Sequence, residues 1–372
     1  MKTDFCIIGG GIAGLSVAYH LAKKTDVILL ERESELAYHT TGRSAALFSG
    51  IYVEGMSRAL TQLSSPFYLD TEGNFSDNPL CSPIGCIFTA MKSERKLLDS
   101  LLETDSNLEP IDTEEMLSRV PILKTGENTI QFGLLEKSAF KIDVAAMVEA
   151  YRRHTLRNKG DIRRNADVTA MHHSSQGWNI ELADGQHIHS RKVINASGAW
   201  GDMIAQLAGI KPMNLRPLRR TIIVFDGLIN ESMSSWPAVG GLAGGYYFMP
   251  EAGKLLGSAA DEIPSDPCDA RPEEYDVALA AHNIESHTTL KIEHVHHSWA
   301  GLRTFAPDRQ PVVGYDDENG DFFWLVGQGG YGIQTAPALA QLAALLALEE
   351  PLGSEYDIPG FSLSDISPGR SF

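Results

Sequence analysis

Hydrophobic positions along the chain change period several times, and each change predicts an element. Asp4–Ile8 (D-F-C-I-I) is a short apolar run of the kind that fits a strand buried on both faces of a parallel sheet. A glycine-rich turn follows, and from Ile12 to Lys24 the apolar positions Leu15, Ala18, Tyr19, Leu21 and Ala22 recur at helical spacing. Asp26–Leu30 (D-V-I-L-L) then reads as a second buried strand, so the chain starts as a strand–helix–strand unit. Further strands are predicted at Val193–Ala196, Thr221–Phe225, Gly245–Met249 and Phe322–Val326, and an amphipathic helix at Ala336–Leu348. The class is α/β with an added sheet.

Composition narrows the partners. The 372 residues are 43% hydrophobic and 21% charged, close to globular averages of about 45–50% and about 25%. Thirty-one Lys and Arg against 48 Asp and Glu give a net charge of −17, which repels phosphate backbones and anionic lipid and favours a small-molecule partner over nucleic acid. Cys6, Cys81, Cys86 and Cys268 are too scattered for a disulfide framework or a zinc grid. The chain is therefore expected in a reducing cytoplasm, with a peripheral membrane location left open. The apolar stretch Phe5–Tyr19 is interrupted by glycines and is shorter than the roughly 20 residues of a membrane span. No signal peptide is expected, since the run follows an acidic Asp4.

Between the two N-terminal strands lies Gly9-Gly-Gly11-Ile12-Ala13-Gly14, a G-x-G-x-x-G sequence in which each glycine has a physical task. Gly9 allows the tight turn, Gly11 lets backbone approach a pyrophosphate, and Gly14 lets the helix pack on the strand. The helix N-terminus then offers unpaired N–H groups to the phosphates. Glu31 ends the second strand, where a carboxylate accepts hydrogen bonds from ribose hydroxyls, and Arg32 follows it. The same unit serves NAD and FAD, and the downstream segments favour FAD. These are the small-residue loop Thr40-Thr41-Gly42-Arg43-Ser44-Ala45-Ala46, the strand end Val193-Ile-Asn-Ala196-Ser197-Gly198-Ala-Trp200, Gly301-Leu-Arg303-Thr-Phe-Ala-Pro-Asp308, and a second glycine-rich turn, Gly327-Gln-Gly329-Gly330-Tyr331-Gly332-Ile333-Gln334. Val168 completes the expected cofactor wall.

In this order the motifs G-G-G-I-A-G, L-E-R-E, H-T-T-G-R-S-A-A, W-A-G-L-R and Q-G-G-Y-G-I-Q-T resemble the FAD-dependent D-amino-acid oxidase superfamily, most of all its bacterial D-arginine dehydrogenases. The resemblance runs along nearly the whole chain. It implies a glutathione-reductase-type (Rossmann-like) FAD-binding domain built from residues 1–50, 141–214 and 296–372. A substrate domain with an antiparallel sheet, from residues 51–140 and 215–295, would roof the flavin. It further implies non-covalent FAD, since Gly301 stands near the place of the linking cysteine of sarcosine oxidases, and oxidation of a D-amino acid at the Cα–N bond. Oxidation of glycine-like secondary amines or of a 2-hydroxy acid, an NAD-dependent dehydrogenase, and a flavin-bearing binding protein without turnover remain as rivals. The electron acceptor, quinone-like or oxygen, is open.

The resemblance places Arg303 and Arg220 on the substrate carboxylate, which a planar guanidinium holds through two parallel N–H bonds. Tyr52 and Tyr247 would lie over the substrate, and Gly330 would offer backbone beside the flavin. Two departures bear on the side chain: Leu47 stands where D-arginine dehydrogenases carry a histidine, and Cys86 where they carry an acid. A buried cation without a carboxylate is costly, so neutral side chains are expected unless an acid from another segment serves the site. Cys81 and Cys86 are expected to be small buried hydrophobes. His294, His296 and His297 cluster locally, but no third metal ligand and supporting shell are visible, so no metal is expected.

Overall fold

A computed structural model of the chain describes residues 1–51, 55–70, 75–105, 107–228 and 233–372. Lys2–Ile8 pairs in parallel with Val27–Leu30 on one side and with His187–Asn195 on the other. Asp161–Arg163 and Phe322–Val326 extend the parallel core, and an antiparallel arm, Val168–Ser174 with Gly177–Leu182, completes an eight-stranded sheet together with Val312–Tyr315. The four residues of Val27–Leu30 are all buried, as an unbroken apolar run in a doubly covered sheet should be. One face packs on the helices Ile12–Leu21, Gly55–Leu69, Val144–Arg157 and Gly332–Ala347 through Leu15, Leu60, Met147 and Leu339. The other packs Trp178, Ile180, Phe322 and Trp324. Full burial of side chains of this size contributes about 1.5–3 kcal/mol each.

A ten-stranded sheet forms the second layer. Arg216–Phe225 and Val295–Phe305 pair antiparallel along their length, and Lys254–Ser258, Tyr247–Glu251, Ala238–Gly241, Cys86–Ala90, Phe132–Glu136 and Leu108–Ile111 follow in that spatial order. Only the pairing of Ala238–Gly241 with Cys86–Ala90 is parallel. Val295–Phe305 lies wholly in this sheet, paired along its length with Arg216–Phe225.

The last helix starts at Gly332, four residues before the periodicity predicts, and contains Pro337. A proline there removes the N–H that would bond the carbonyl four residues back. That carbonyl, on Ile333, instead accepts the Tyr68 hydroxyl at 2.5 Å, while the next helical N–H, Ala338, donates to Ser64 Oγ at 3.1 Å. The helix Gly55–Leu69 therefore repairs the defect from outside. No described helix is long and apolar enough to cross a membrane.

The tightest contact in the N-terminal unit is backbone on backbone: a Cβ on Gly14 would fall 1.9 Å from the Gly9 carbonyl oxygen. Gly14→Ala is therefore expected to destabilise the protein by about 1–3 kcal/mol, the usual cost of overpacking. Chemical denaturation measures this, and an unchanged midpoint would show that helix and strand can separate without cost.

Candidate functional site

The turn after the first strand is shaped by backbone that a side chain cannot share. Gly9 has φ +114°, and a Cβ on it would lie 2.4 Å from the Ala196 carbonyl oxygen at the end of the neighbouring strand. Ile12 N–H, at the helix start, donates to Thr41 Oγ1 at 3.0 Å. Glu31 is buried, and its two oxygens accept from Gly10 N–H at 2.7 Å and Glu33 N–H at 2.9 Å. The carboxylate thus ties the glycine turn to the second strand while its remaining lone pairs stay available.

These elements open into a cleft of about 360 Å³. Of the residues singled out in the sequence, Gly9, Gly11, Ile12, Ala13, Glu31, Arg32, Thr41, Arg43, Ser44, Ala45, Val168, Ala196, Ser197, Gly198 and Trp200 line it, as do Arg220, Gly301, Arg303, Gly329, Gly330, Gly332 and Ile333. Gly14, Gly42, Ala46, Tyr247, Tyr331 and Gln334 do not. Gln334 is buried behind the wall, donating to Thr61 Oγ1 at 2.9 Å and to the Ser49 carbonyl at 3.3 Å. Tyr52 lies outside the described residues.

At one end of the cleft the Arg32 guanidinium lies 4.3 Å over the Trp200 ring, and His39 packs against the same ring at 4.6 Å. His39 was not singled out, although it stands in H-T-T-G-R beside residues that were. Asp167 and Thr304 also line the cleft, and neither carries a local sequence signal. Arg43 faces the cleft, yet its guanidinium is already engaged by Asp269 at 2.5 Å and by the carbonyls of Ala270 at 2.8 Å and Ala300 at 3.1 Å. Its geometry is that of a tie between the Thr41–Arg43 turn and the ten-stranded sheet.

The other end is cationic. Arg220 is 7% exposed; its Nε donates to the Asp261 carbonyl at 2.5 Å, and its guanidinium stands 3.6 Å from Glu262 and 3.9 Å from Asp261. Burial first, and then the neighbouring Arg303, pull its pKa below the usual arginine value. Arg303 has neither an ion pair nor a hydrogen-bonded acceptor among the described residues, and it lies against Gly330, where a Cβ would come 2.6 Å from Nη1. Two guanidiniums close enough to disfavour each other form a site that an anion relieves. Tyr247 Oη and Thr304 Oγ1 are buried without a hydrogen-bond partner among the described residues. Buried hydroxyls are rarely left unpaired, and Thr304, in the cleft wall, fits one that serves a bound molecule. A glycine-lined cleft with a ribose-type carboxylate at one end and cations at the other fits an extended dinucleotide with an anionic substrate beside it.

Cys86 is buried and its thiol is pushed up by desolvation, whereas Cys81 is partly exposed. In the histidine cluster, His296 Nε2 meets Asp226 at 2.7 Å and Lys254 at 3.0 Å. Among the described residues no group of three His, Cys, Asp or Glu side chains could hold a metal ion.

Comparison with known proteins agrees with the cleft. The family described as FAD dependent oxidoreductase matches residues 4–346. N-methyl-L-tryptophan oxidase from Salmonella dublin is 23% identical, covering 99% of this chain and 100% of its own length. FAD-dependent oxidoreductase domain-containing protein 1 from Bos taurus is 23% identical, covering 94% of this chain and 82% of its own. Among solved structures, glycine oxidase from Geobacillus kaustophilus superposes with a TM-score of 0.85 at 19% identity, over 100% of this chain and 99% of that one. L-proline dehydrogenase from P. horikoshii superposes at 0.84 and 19% identity, over 99% and 97%. The chain belongs to the FAD dependent oxidoreductase family and its cofactor is FAD. The likeness stays at family level and shows no special closeness to D-arginine dehydrogenases.

Glu31→Ala would leave one buried and one partly buried backbone N–H without its acceptor, the buried one at about 1–3 kcal/mol. The expected result is a lower unfolding midpoint together with weaker retention of FAD, read from the flavin absorbance of the purified protein. A variant that keeps both would remove Glu31 from the cofactor wall.

Proposed function

We propose that this FAD dependent oxidoreductase oxidises the Cα–N bond of an amino acid, giving an imino acid that water converts to the 2-oxo acid and ammonia. The observation that carries the reading is the convergence of Arg303, free of any acceptor among the described residues, and buried Arg220 at the end of the cleft. Bound FAD would supply the two-electron sink for the hydride that leaves Cα. In this reading Gly9, Gly11, Glu31, Arg32, Ser197 and Gly330 hold the cofactor, within a domain built from residues 1–50, 141–214 and the chain after Phe305.

The chain's own task is positioning. Arg303 grips both carboxylate oxygens, and Arg220, fixed by Asp261 and Glu262, supplies the second cation without swinging away. Tyr247 offers its hydroxyl to the same carboxylate, which would give that buried group a partner. With the carboxylate held, rotation about the Cα–carboxyl bond is restricted and the Cα–H direction is fixed, the condition for efficient transfer. The D configuration follows from the resemblance of the motifs. Leu47 and Cys86, uncharged where the resembling D-arginine dehydrogenases carry a histidine and an acid, support neutral side chains such as those of D-methionine and D-leucine as the primary class.

The names of the relatives favour a second reading, in which the amine is glycine-like or N-substituted, and the same arginines would hold its carboxylate. Anaerobic mixing separates the two. Bleaching of the flavin by D-methionine, with little effect from L-methionine, sarcosine or glycine, is expected; bleaching by sarcosine or glycine alone would replace the first reading by the second. Arg303→Lys should lower kcat/KM by an amount equivalent to about 1.5–3 kcal/mol, the worth of a charged hydrogen bond. Unchanged steady-state kinetics would remove Arg303 from the substrate.

A further inference from the structure

At the cationic end of the cleft the strand Arg216–Phe225 has a cation on one edge and acids on the other. Along one edge Leu218 pairs with Arg303 and Arg220 with Gly301. Along the other the chain returns after Lys254–Ser258, with φ +55° at Ala260, and Ile263 and Pro264 pair with Arg219 and Leu218. That return sets Asp261 and Glu262 beside Arg220. Asp261 is engaged locally, since both its carboxylate oxygens accept from Thr221 N–H at 3.1 Å. Glu262 reaches further: it stands 3.6 Å from Arg220 Nη2 and accepts two bonds from the Arg309 guanidinium, at 2.9 and 3.1 Å. Arg309 rises from the turn that follows Phe305, with φ +65° and its guanidinium 3.9 Å over the Phe305 ring. That ring lies against Gly329 in the cleft wall, where a Cβ would come 2.1 Å from it.

The Glu262–Arg309 pair is half in solvent, its side chains 33% and 48% exposed, and exposed pairs of this kind add little to stability. The effect of Glu262 on the cleft is larger. Of the two guanidiniums in the wall at this end, Arg220 has its charge met by Glu262 and Asp261, whereas Arg303 has no acid partner among the described residues. The arrangement therefore holds one open positive charge, enough for one carboxylate. A second carboxylate on the same molecule would meet Arg220 with Glu262 already beside it. Like charges repel far more strongly in such a poorly solvated site than in water.

We propose that Glu262 is a specificity-determining residue that limits the site to acids with one carboxylate, turning away amino acids whose side chain carries a second, such as D-aspartate and D-glutamate. It acts through Arg220. By meeting that charge from behind, it leaves Arg220 able to support the carboxylate gripped by Arg303 but unable to hold another, a repulsive element of the kind that sets specificity. The substrates named rest on the amino-acid reading above, while the preference for one carboxylate belongs to the arginine pair and applies to any acid bound there.

The test uses two acids of matched shape, succinate and its monoamide succinamate, at mildly alkaline pH, where both carboxyls of succinate are ionised. Their Kd values are read from the flavin spectrum in the wild type and in Glu262→Gln. The wild type is expected to bind succinamate at least about tenfold more tightly than succinate, and the variant to lose most of that ratio. A merely structural defect would weaken both acids alike and leave the ratio in place. Equal or tighter binding of succinate by the wild type, a ratio that Glu262→Gln leaves unchanged, or no response to either acid overturns the proposal. Turnover gives a parallel readout, in which kcat/KM for D-glutamine over D-glutamate falls in the variant. If the acids are discriminated as expected but no amino acid is oxidised, the proposed function fails and the role of Glu262 stands. Should Glu262→Gln not retain flavin, the wild type decides by the same preference for succinamate, whose absence overturns the role.

Discussion

The pairing of Arg216–Phe225 with Val295–Phe305 is the constraint on which the site depends. Both arginines of the anionic end sit on this ribbon, and its register, Leu218 opposite Arg303 and Arg220 opposite Gly301, sets them side by side on one face. A slip of one residue between the two strands would turn one guanidinium to the far side, where Ile223 and Phe225 belong to another apolar core, and part the pair. The ladder and the two cores it separates therefore hold the like charges together against their repulsion. Asp261 and Glu262 reduce that cost only for Arg220, leaving Arg303 with its charge for a ligand.

Local pattern revealed the first strand–helix–strand unit because each of its features is a short-range requirement. Period, glycine spacing and a terminal acid all lie within residues 1–31, and the contacts of Gly9 and Gly14 are the close approaches that the motif implies. The same holds for the end of the strand His187–Asn195, where Asn195 Oδ1 accepts from Ser197 N–H and Oγ and fixes the turn beside the cleft. Pro337 is tolerated inside the last helix for a reason that lies far from it in the chain. Its defect is repaired by Tyr68 and Ser64, more than 250 residues earlier in the chain, and no window around the proline contains them.

Register across distant strands was illegible in the same way. Nothing near Val295 indicates that its strand joins the second sheet, and nothing near Cys86 indicates that Glu136 is its partner. The Arg43 guanidinium could be noticed as a charge in a small-residue loop, but its commitment to Asp269 depends on a segment from the other sheet's side of the molecule. Sequence thus identifies which groups can do chemistry, while long-range pairing decides which of them remain free to do it.

Charge on the shared face has a consequence for orientation. A protein of net charge −17 repels an approaching carboxylate at long range, so attraction must come from local cations in a low-dielectric site, where screening is weak. Arg303 and Arg220 provide that at one end of the face, and beyond them it turns apolar through Ile222, Met249 and Phe88. In the proposed reading, an amino acid entering with its carboxylate towards the apolar part would bury that charge without a partner and leave the arginines unsatisfied. In that reading the reverse orientation gives the carboxylate its cations and sets it beside Gly330, against which Arg303 lies. Such a polarity selects a direction of binding before any close contact with the side chain is made, and it does so with buried charges that the surrounding solvent cannot screen.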